Sequence, residues 1–170
     1  MILIVDLCWK KDSLSSEEFV KPIEKIVKST GKPARVVHYS ELNDSVINSA
    51  DAVVLCGTAL ADNEFLNQDF SWIKRKERVF GICAGMQVIA KVYGGKIINK
   101  KEIGMTEIKC SDKIFEKNTL NVYQLHRNST TLPDGFKEIA SGGAFKKGYV
   151  YGILFHPEVR NEHILVNWLK

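Results

Sequence analysis

Val79-Phe80-Gly81-Ile82-Cys83-Ala84-Gly85-Met86-Gln87 is the stretch on which the fold turns. Its first half is an apolar run of strand length. Its second half opens a stripe of Met86, Ile89, Ala90 and Tyr93 at helical spacing, which Gly94-Gly95 ends. A strand over 79–82 therefore runs straight into a helix over 84–93, with a Gly-x-Cys-x-Gly pattern at the junction. Such a turn is so tight that side chains two residues either side of the central one would collide, which is why glycines flank it. It lifts the Cys83 thiol out at the carboxyl end of the strands, where open α/β sheets place their ligands. The amino end of the helix points at the sulfur and favours thiolate over thiol. The Ala84 N–H is then positioned to donate to an oxyanion. By itself the pattern fits a buried core cysteine before a glycine turn equally well.

Working outward, short apolar runs alternate with helical stretches, the signature of a mostly parallel sheet covered by helices. Residues 2–5, 34–38 and 52–56 read, like 79–82, as strands buried on both faces, because their apolar character is continuous rather than alternating. A helix between the first two carries Phe19, Ile23, Ile26 and Val27 on one face. Ser15 and Glu18 form a capping box for its start, Pro22 implies a kink or a late start, and Gly31 stops it. A final capped helix over 161–170 turns Ile164, Leu165, Trp168 and Leu169 inward. From 96 to 151 the pattern changes to short strands broken by Gly, Asn and Pro, which reads as a small antiparallel extension. The 170 residues amount to one domain over 1–170, with no repeat or linker.

Composition narrows the function classes. A hydrophobic fraction of 45% and a charged fraction of 26% are globular, not disordered. The net charge of +4 is mild and its basic pairs are scattered, so no nucleic-acid partner is expected. No run is long enough to span a bilayer and the chain opens without a basic leader, so no membrane is expected and the cytoplasm is the expected location. Cys8, Cys56, Cys83 and Cys110 lie far apart with no CxxC pair, which argues against a disulfide framework and a zinc site. Each is a small buried hydrophobe or a working thiol.

The second informative stretch is Tyr151-Gly152-Ile153-Leu154-Phe155-His156-Pro157-Glu158. A lone histidine after an apolar strand is more often structural than basic. Here Pro157 biases His156 toward extended chain, where residues two apart project to the same side. Glu158 then holds one imidazole nitrogen and leaves the other for Cys83. His38 and His163 have no carboxylate at that spacing and read as structural or surface residues.

With both stretches in hand, the sequence resembles the class I (triad-type) glutamine amidotransferases. The likeness rests on Gly81-Ile82-Cys83-Ala84-Gly85-Met86-Gln87 together with Phe155-His156-Pro157-Glu158-Val159. It extends to the opening strand, the Leu55-Cys56-Gly57 turn and Leu132-Pro133-Asp134-Gly135-Phe136. Among subtypes it looks nearest to the stand-alone glutaminase subunit of GMP synthase. The resemblance implies an open, twisted, mostly parallel flavodoxin-like sheet with helices on both faces. It implies hydrolysis of glutamine to glutamate through a Cys83 thioester, with His156 as acid and base and Glu158 orienting it. The ammonia would pass to an ATP-dependent synthetase partner. The oxyanion hole would be the N–H groups of Ala84 and Gly57, and Gln87 and His126 would bind substrate. No cofactor or metal is implied.

Two departures stand out. Many members carry Gly-Gly-Pro where this chain has Cys56-Gly57-Thr58. The GMP synthase glutaminases carry Ser-His-x-Asp where Leu125-His126-Arg127-Asn128 matches only at the histidine. Other uses of the same triad are a free-standing γ-glutamyl amide or peptide hydrolase and a catalytically silent regulatory protein.

Overall fold

The computed structural model describes residues 1–170. Strand β1 (Ile2–Asp6) is followed by helices α1 (Leu14–Phe19) and α2 (Lys21–Ser29), then β2 (Ala34–His38), α3 (Asp44–Asn48) and β3 (Ala52–Leu55). Two 3-10 turns lead into β4 (Arg78–Ile82) and α4 (Ala84–Val92). The remainder is β5 (Ile97–Lys109), β6 (Thr119–Thr130), β7 (Lys137–Ala140), β8 (Ala144–Lys147), β9 (Tyr149–Ile153) and α5 (His163–Leu169). Seven strands form one sheet in the order β2-β1-β3-β4-β9-β8-β7. The first five are parallel, and β8 and β7 add antiparallel at the far edge. This is the α/β architecture of the flavodoxin-like class.

The continuous apolar runs are explained by what covers the sheet. Alternate residues of a strand face opposite sides. Ile2, Ile4, Val54, Phe80 and Ile82 pack on one side with Ile23, Ile26 and Val27 of α2 and Ile164, Leu165 and Trp168 of α5. Leu3, Val5, Val53, Leu55 and Val79 pack on the other with Val46 and Ile47 of α3 and Val88, Ile89 and Ala90 of α4. Each such valine, leucine, isoleucine or phenylalanine, fully removed from water, contributes roughly 1.5–3 kcal/mol.

Several expectations need correcting. The 34–38 strand is not covered on both faces: β2 is an edge strand, and Arg35 and Val36 are exposed. The expected first helix is two helices meeting at Val20, with Pro22 in the first turn of α2, so the proline marks a late start. Ser15 is not the cap. Ser13 occupies that position and accepts from the Ser16 N–H, while Ser15 lies inside α1. The last helix begins at His163 without a side-chain cap, because Asn161 is left-handed at φ +79° and its amide donates to Asn121 O at 2.9 Å. The antiparallel extension is larger than short strands, since β5 and β6 form a separate two-stranded ribbon of 13 and 12 residues.

The register brings three strand ends together. Leu55 pairs with Gly81, and Gly81 pairs with Gly152. Gly57, Cys83 and Leu154 therefore leave the sheet side by side, and the Cys83 N–H still donates to Ile153 O at 2.8 Å. No helix is long and apolar enough to cross a membrane.

Candidate active site

Cys83 sits at the junction of β4 and α4 with φ +50° and ψ −99°, a strained conformation for a residue bearing a Cβ. The flanking glycines make the turn sterically feasible. A Cβ on Gly81 would lie 2.5 Å from the Gly85 backbone, and one on Gly85 would lie 2.3 Å from Leu55 O. The sharp turn inferred from Gly-x-Cys-x-Gly is thus present, and α4 begins at Ala84. The first N–H groups of a helix have no intrahelical acceptor, so they remain available at the sulfur.

His156 follows β9 and is 1% exposed. Its Nδ1 lies 2.7 Å from Glu158 Oε1. The expected pairing is formed, though not by extended chain. Residues 156–159 form a turn closed by the Val159 N–H donating to His156 O at 3.3 Å, with Pro157 in second position. The turn, not strand alternation, brings Glu158 back onto the ring. Burial depresses the imidazole's affinity for a proton, but the Cys83 thiol and the Glu158 carboxylate outweigh it and hold His156 well above its ordinary value. The Phe19 ring packs 5.6 Å from the imidazole, centroid to centroid.

Thiol and imidazole meet at one backbone atom. Cys83 Sγ donates to Leu125 O at 3.5 Å, and His156 Nε2 lies 3.3 Å from the same oxygen. Gly57 lies against both side chains: a Cβ there would be 2.7 Å from His156 Cε1 and 3.6 Å from Cys83 Cβ. The expected residues Gly57, Ala84, Cys83, His156 and Glu158 therefore gather at one rim of the sheet.

The expected substrate contacts are less uniform. Gln87, one turn along α4 from Cys83, is buried, lines the same cavity and leaves its Oε1 without a partner. His126 borders the cavity, but its buried ring lies 3.2 Å from Glu102 Oε2 on the neighbouring strand. Burial and the Glu102 carboxylate act on it in opposite directions, and burial wins, lowering its pKa. The cavity beside Cys83 holds only about 20 Å³, walled by residues 58–63 and 125–128. On that measure one water molecule needs about 10–15 Å³, so the space admits little more than one. One contact, Asn128 Nδ2 to Asn63 Oδ1 at 3.4 Å, joins the two walls.

Burial pushes Cys8 up to about 12 and raises Cys56 and Cys110 as well. His38 hydrogen-bonds Cys8 O and the Ser40 hydroxyl, and His163 faces Phe115 O, both structural placements. No cluster of three or more His, Cys, Asp or Glu side chains is placed to hold a metal ion. Two features of the site go beyond the sequence reading: the Leu125 carbonyl, and the Thr58 hydroxyl donating to Asp62 Oδ2. A main-chain oxygen leaves no trace in residue type, whereas the Thr-to-Asp spacing of a tied loop is a signal the sequence does carry.

A thiol, an oriented imidazole and unpartnered helix N–H groups can together carry acyl transfer. A family model described as "Glutamine amidotransferase class-I" matches residues 15–168. One of the subunits of a GMP synthase [glutamine-hydrolyzing] from Methanococcus vannielii is 31% identical, over 90% of this chain and 91% of that protein. The GMP synthase [glutamine-hydrolyzing] of Petrotoga mobilis is 29% identical over 90% of this chain, which spans only 33% of that longer protein. The likeness in fold extends to a Thermoplasma acidophilum crystal structure described as a GMP synthase subunit, with TM-score 0.82 at 22% identity over 99% of this chain and 91% of the other. A Thermotoga maritima glutamine amidotransferase superposes with TM-score 0.72 at 21% identity, over 99% of this chain and 80% of the other. On the match across residues 15–168, this chain belongs to the class I glutamine amidotransferase family.

Proposed function

We propose that this chain is a glutaminase: one amidotransferase domain that hydrolyses the side-chain amide of glutamine and hands ammonia to a separate synthetase. The observation that carries this is the convergence of Cys83, His156 and Glu158 beside Gly57 at a single rim. Likeness over nearly the whole length of the Methanococcus vannielii protein supports a synthetase partner of the GMP-forming type, which would supply the ATP-dependent step.

In this mechanism His156 Nε2 takes the thiol proton as Cys83 Sγ attacks the amide carbon, forming the C–S bond. The oxyanion of the tetrahedral species accepts from the Ala84 and Gly57 N–H groups. His156 then protonates the amide nitrogen, the C–N bond breaks and ammonia leaves. Next it removes a proton from water, whose oxygen attacks the thioester. The C–S bond breaks, glutamate departs and the thiol is restored. Glu158 keeps the Nδ1 proton in place throughout. Gln87 offers its unpartnered amide oxygen to the substrate's polar end. Because the cavity is smaller than glutamine, the walls at 58–63 and 125–128 must part for entry, a gated site.

The test is glutamate release from glutamine by the chain mixed with the ATP-binding component of a GMP synthase, comparing wild type with Cys83→Ala. Activity abolished in the variant is expected, and equal turnover would remove the thiol mechanism. Turnover by the isolated chain of γ-glutamyl peptides but not glutamine would instead select the free-standing hydrolase. A diazo-ketone analogue of glutamine that fails to label Cys83 would select the silent protein.

A further inference from the structure

We propose that Thr58 and Asp62 form a clamp that fixes the Gly57 peptide against Cys83 and His156, making both positioning residues for the oxyanion hole; this rests on the glutaminase reading above.

The need for such a clamp follows from where the sheet ends. β3 stops at Leu55, and the last strand-like bond is the Cys56 N–H to Val5 O at 3.1 Å. Beyond it comes a glycine, the residue whose backbone has the most freedom to lose. An oxyanion donor must hold its direction before the charge develops, or its stabilisation is spent on reorganisation. Gly57 cannot supply that stiffness, and it cannot be replaced by a stiffer residue, because a Cβ would collide with the imidazole.

The next residue supplies it. Thr58 is 4% exposed, and its hydroxyl donates to Asp62 Oδ2 at 2.6 Å. The Asp62 N–H donates to Ala59 O at 3.0 Å, closing the turn between them. The same Oδ2 accepts the Trp9 N–H at 3.0 Å. One carboxylate oxygen thus joins the loop after β3 to the loop after β1, and Gly57 lies between that tie and the end of its own strand. A proline at position 58 would restrict the turn by its ring. Threonine restricts it by a branched Cβ and a charge-assisted hydrogen bond.

The variants are Thr58→Val, which keeps shape and removes the donor, Thr58→Ser, which keeps the donor, and Asp62→Asn. With the synthetase partner present, Thr58→Val is expected to lower kcat about tenfold or more with KM within about twofold, and Thr58→Ser to retain most of it. Asp62→Asn should fall between them. An unchanged kcat in Thr58→Val, or a raised KM with kcat intact, would overturn the clamp. Amide hydrogen exchange separates this from the underlying reading. Faster exchange at Gly57 and Thr58 in Thr58→Val supports the clamp even in a chain that hydrolyses no glutamine, and unchanged exchange refutes it even in an active one.

Discussion

Cys83 and His156 present their reactive atoms to one acceptor, the carbonyl oxygen of Leu125, at 3.5 and 3.3 Å. That oxygen has no proton to give, so it binds whichever partner carries one. With the thiol protonated it takes S–H, and after transfer to the ring it takes Nε2–H. Both proton positions are thereby accommodated, and Glu158 secures the other side of the ring. A strand of the ribbon, not the sheet that carries both residues, supplies that shared acceptor.

Removing the negative charge of Glu158 tests this arrangement through pH. His156 holds its proton more tightly in the folded chain than in the unfolded one, where imidazole titrates near ~6.5. Its contribution to stability is therefore complete below ~6.5 and is lost as pH rises through the higher folded value. Glu158→Gln is expected to lower the His156 midpoint read by NMR, to destabilise the fold by about 1–3 kcal/mol at pH ~6, and to cut kcat about 10²–10⁴-fold. Urea unfolding across pH should show the gap between wild type and variant closing above the folded midpoint. A gap of constant size would mean that the pair carries no proton linkage.

Thiol chemistry should single out Cys83. Cys8, Cys56 and Cys110 have proton affinities raised by burial, which leaves little thiolate at neutral pH. Limiting iodoacetamide followed by peptide mass mapping is expected to place the first equivalent on Cys83. Preferential labelling of any other cysteine would contradict the environment assigned to each.

The legible parts of the fold share one property: they are fixed by local sequence. β1, β3 and β4 announce themselves because both faces are covered, and α4 begins where Gly81 and Gly85 require it to. The edge position of β2 is hidden, since five residues do not reveal how many neighbours their strand will have. The length of the ribbon is masked by charge. Up to residue 126 only alternate residues of β6 (Leu120, Val122, Gln124 and His126) are buried, and polar residues such as Asn121, Gln124 and His126 break every apolar run. The Cys83, His156 and Glu158 grouping is legible in residue types, but the last two are joined by a turn and not by the extended chain their spacing suggests. Pro157 in the second position of a four-residue turn carries that signal. The Leu125 carbonyl is beyond reach, because any residue at 125 would present the same atom.

The glycines around the sulfur divide into two kinds with different expected phenotypes. Gly85→Ala drives a Cβ into the Leu55 backbone and should destabilise the chain by about 1–3 kcal/mol or more, seen as a lower unfolding midpoint. Gly57→Ala meets the edge of a side chain, His156 Cε1, so the fold is expected to survive while the imidazole is displaced. Its kcat should drop about 10²–10⁴-fold, the scale of losing a positioned general acid and base. Near-wild-type turnover in a folded Gly57→Ala chain would show that the close approach of Gly57 to the ring has no part in the reaction.

The narrow cleft beside Cys83 makes a kinetic prediction that depends on one weak contact. Residues 58–63 and 125–128 line the cleft with Cys83, and the side-chain hydrogen bond between them is Asn128 to Asn63 at 3.4 Å. An exposed amide pair of that length contributes at most about 0.5–1.5 kcal/mol. Asn128→Ala should therefore raise the population of open site by up to about tenfold while leaving the thiol's surroundings intact. If opening is a rapid pre-equilibrium, the alkylation rate of Cys83 by a small neutral reagent rises by the same factor. The rates at Cys8, Cys56 and Cys110 should not move, because none of them borders this cavity. An unchanged Cys83 rate would locate the barrier to entry elsewhere, in the packing of the β5–β6 ribbon against the sheet rather than in the link between the two asparagines.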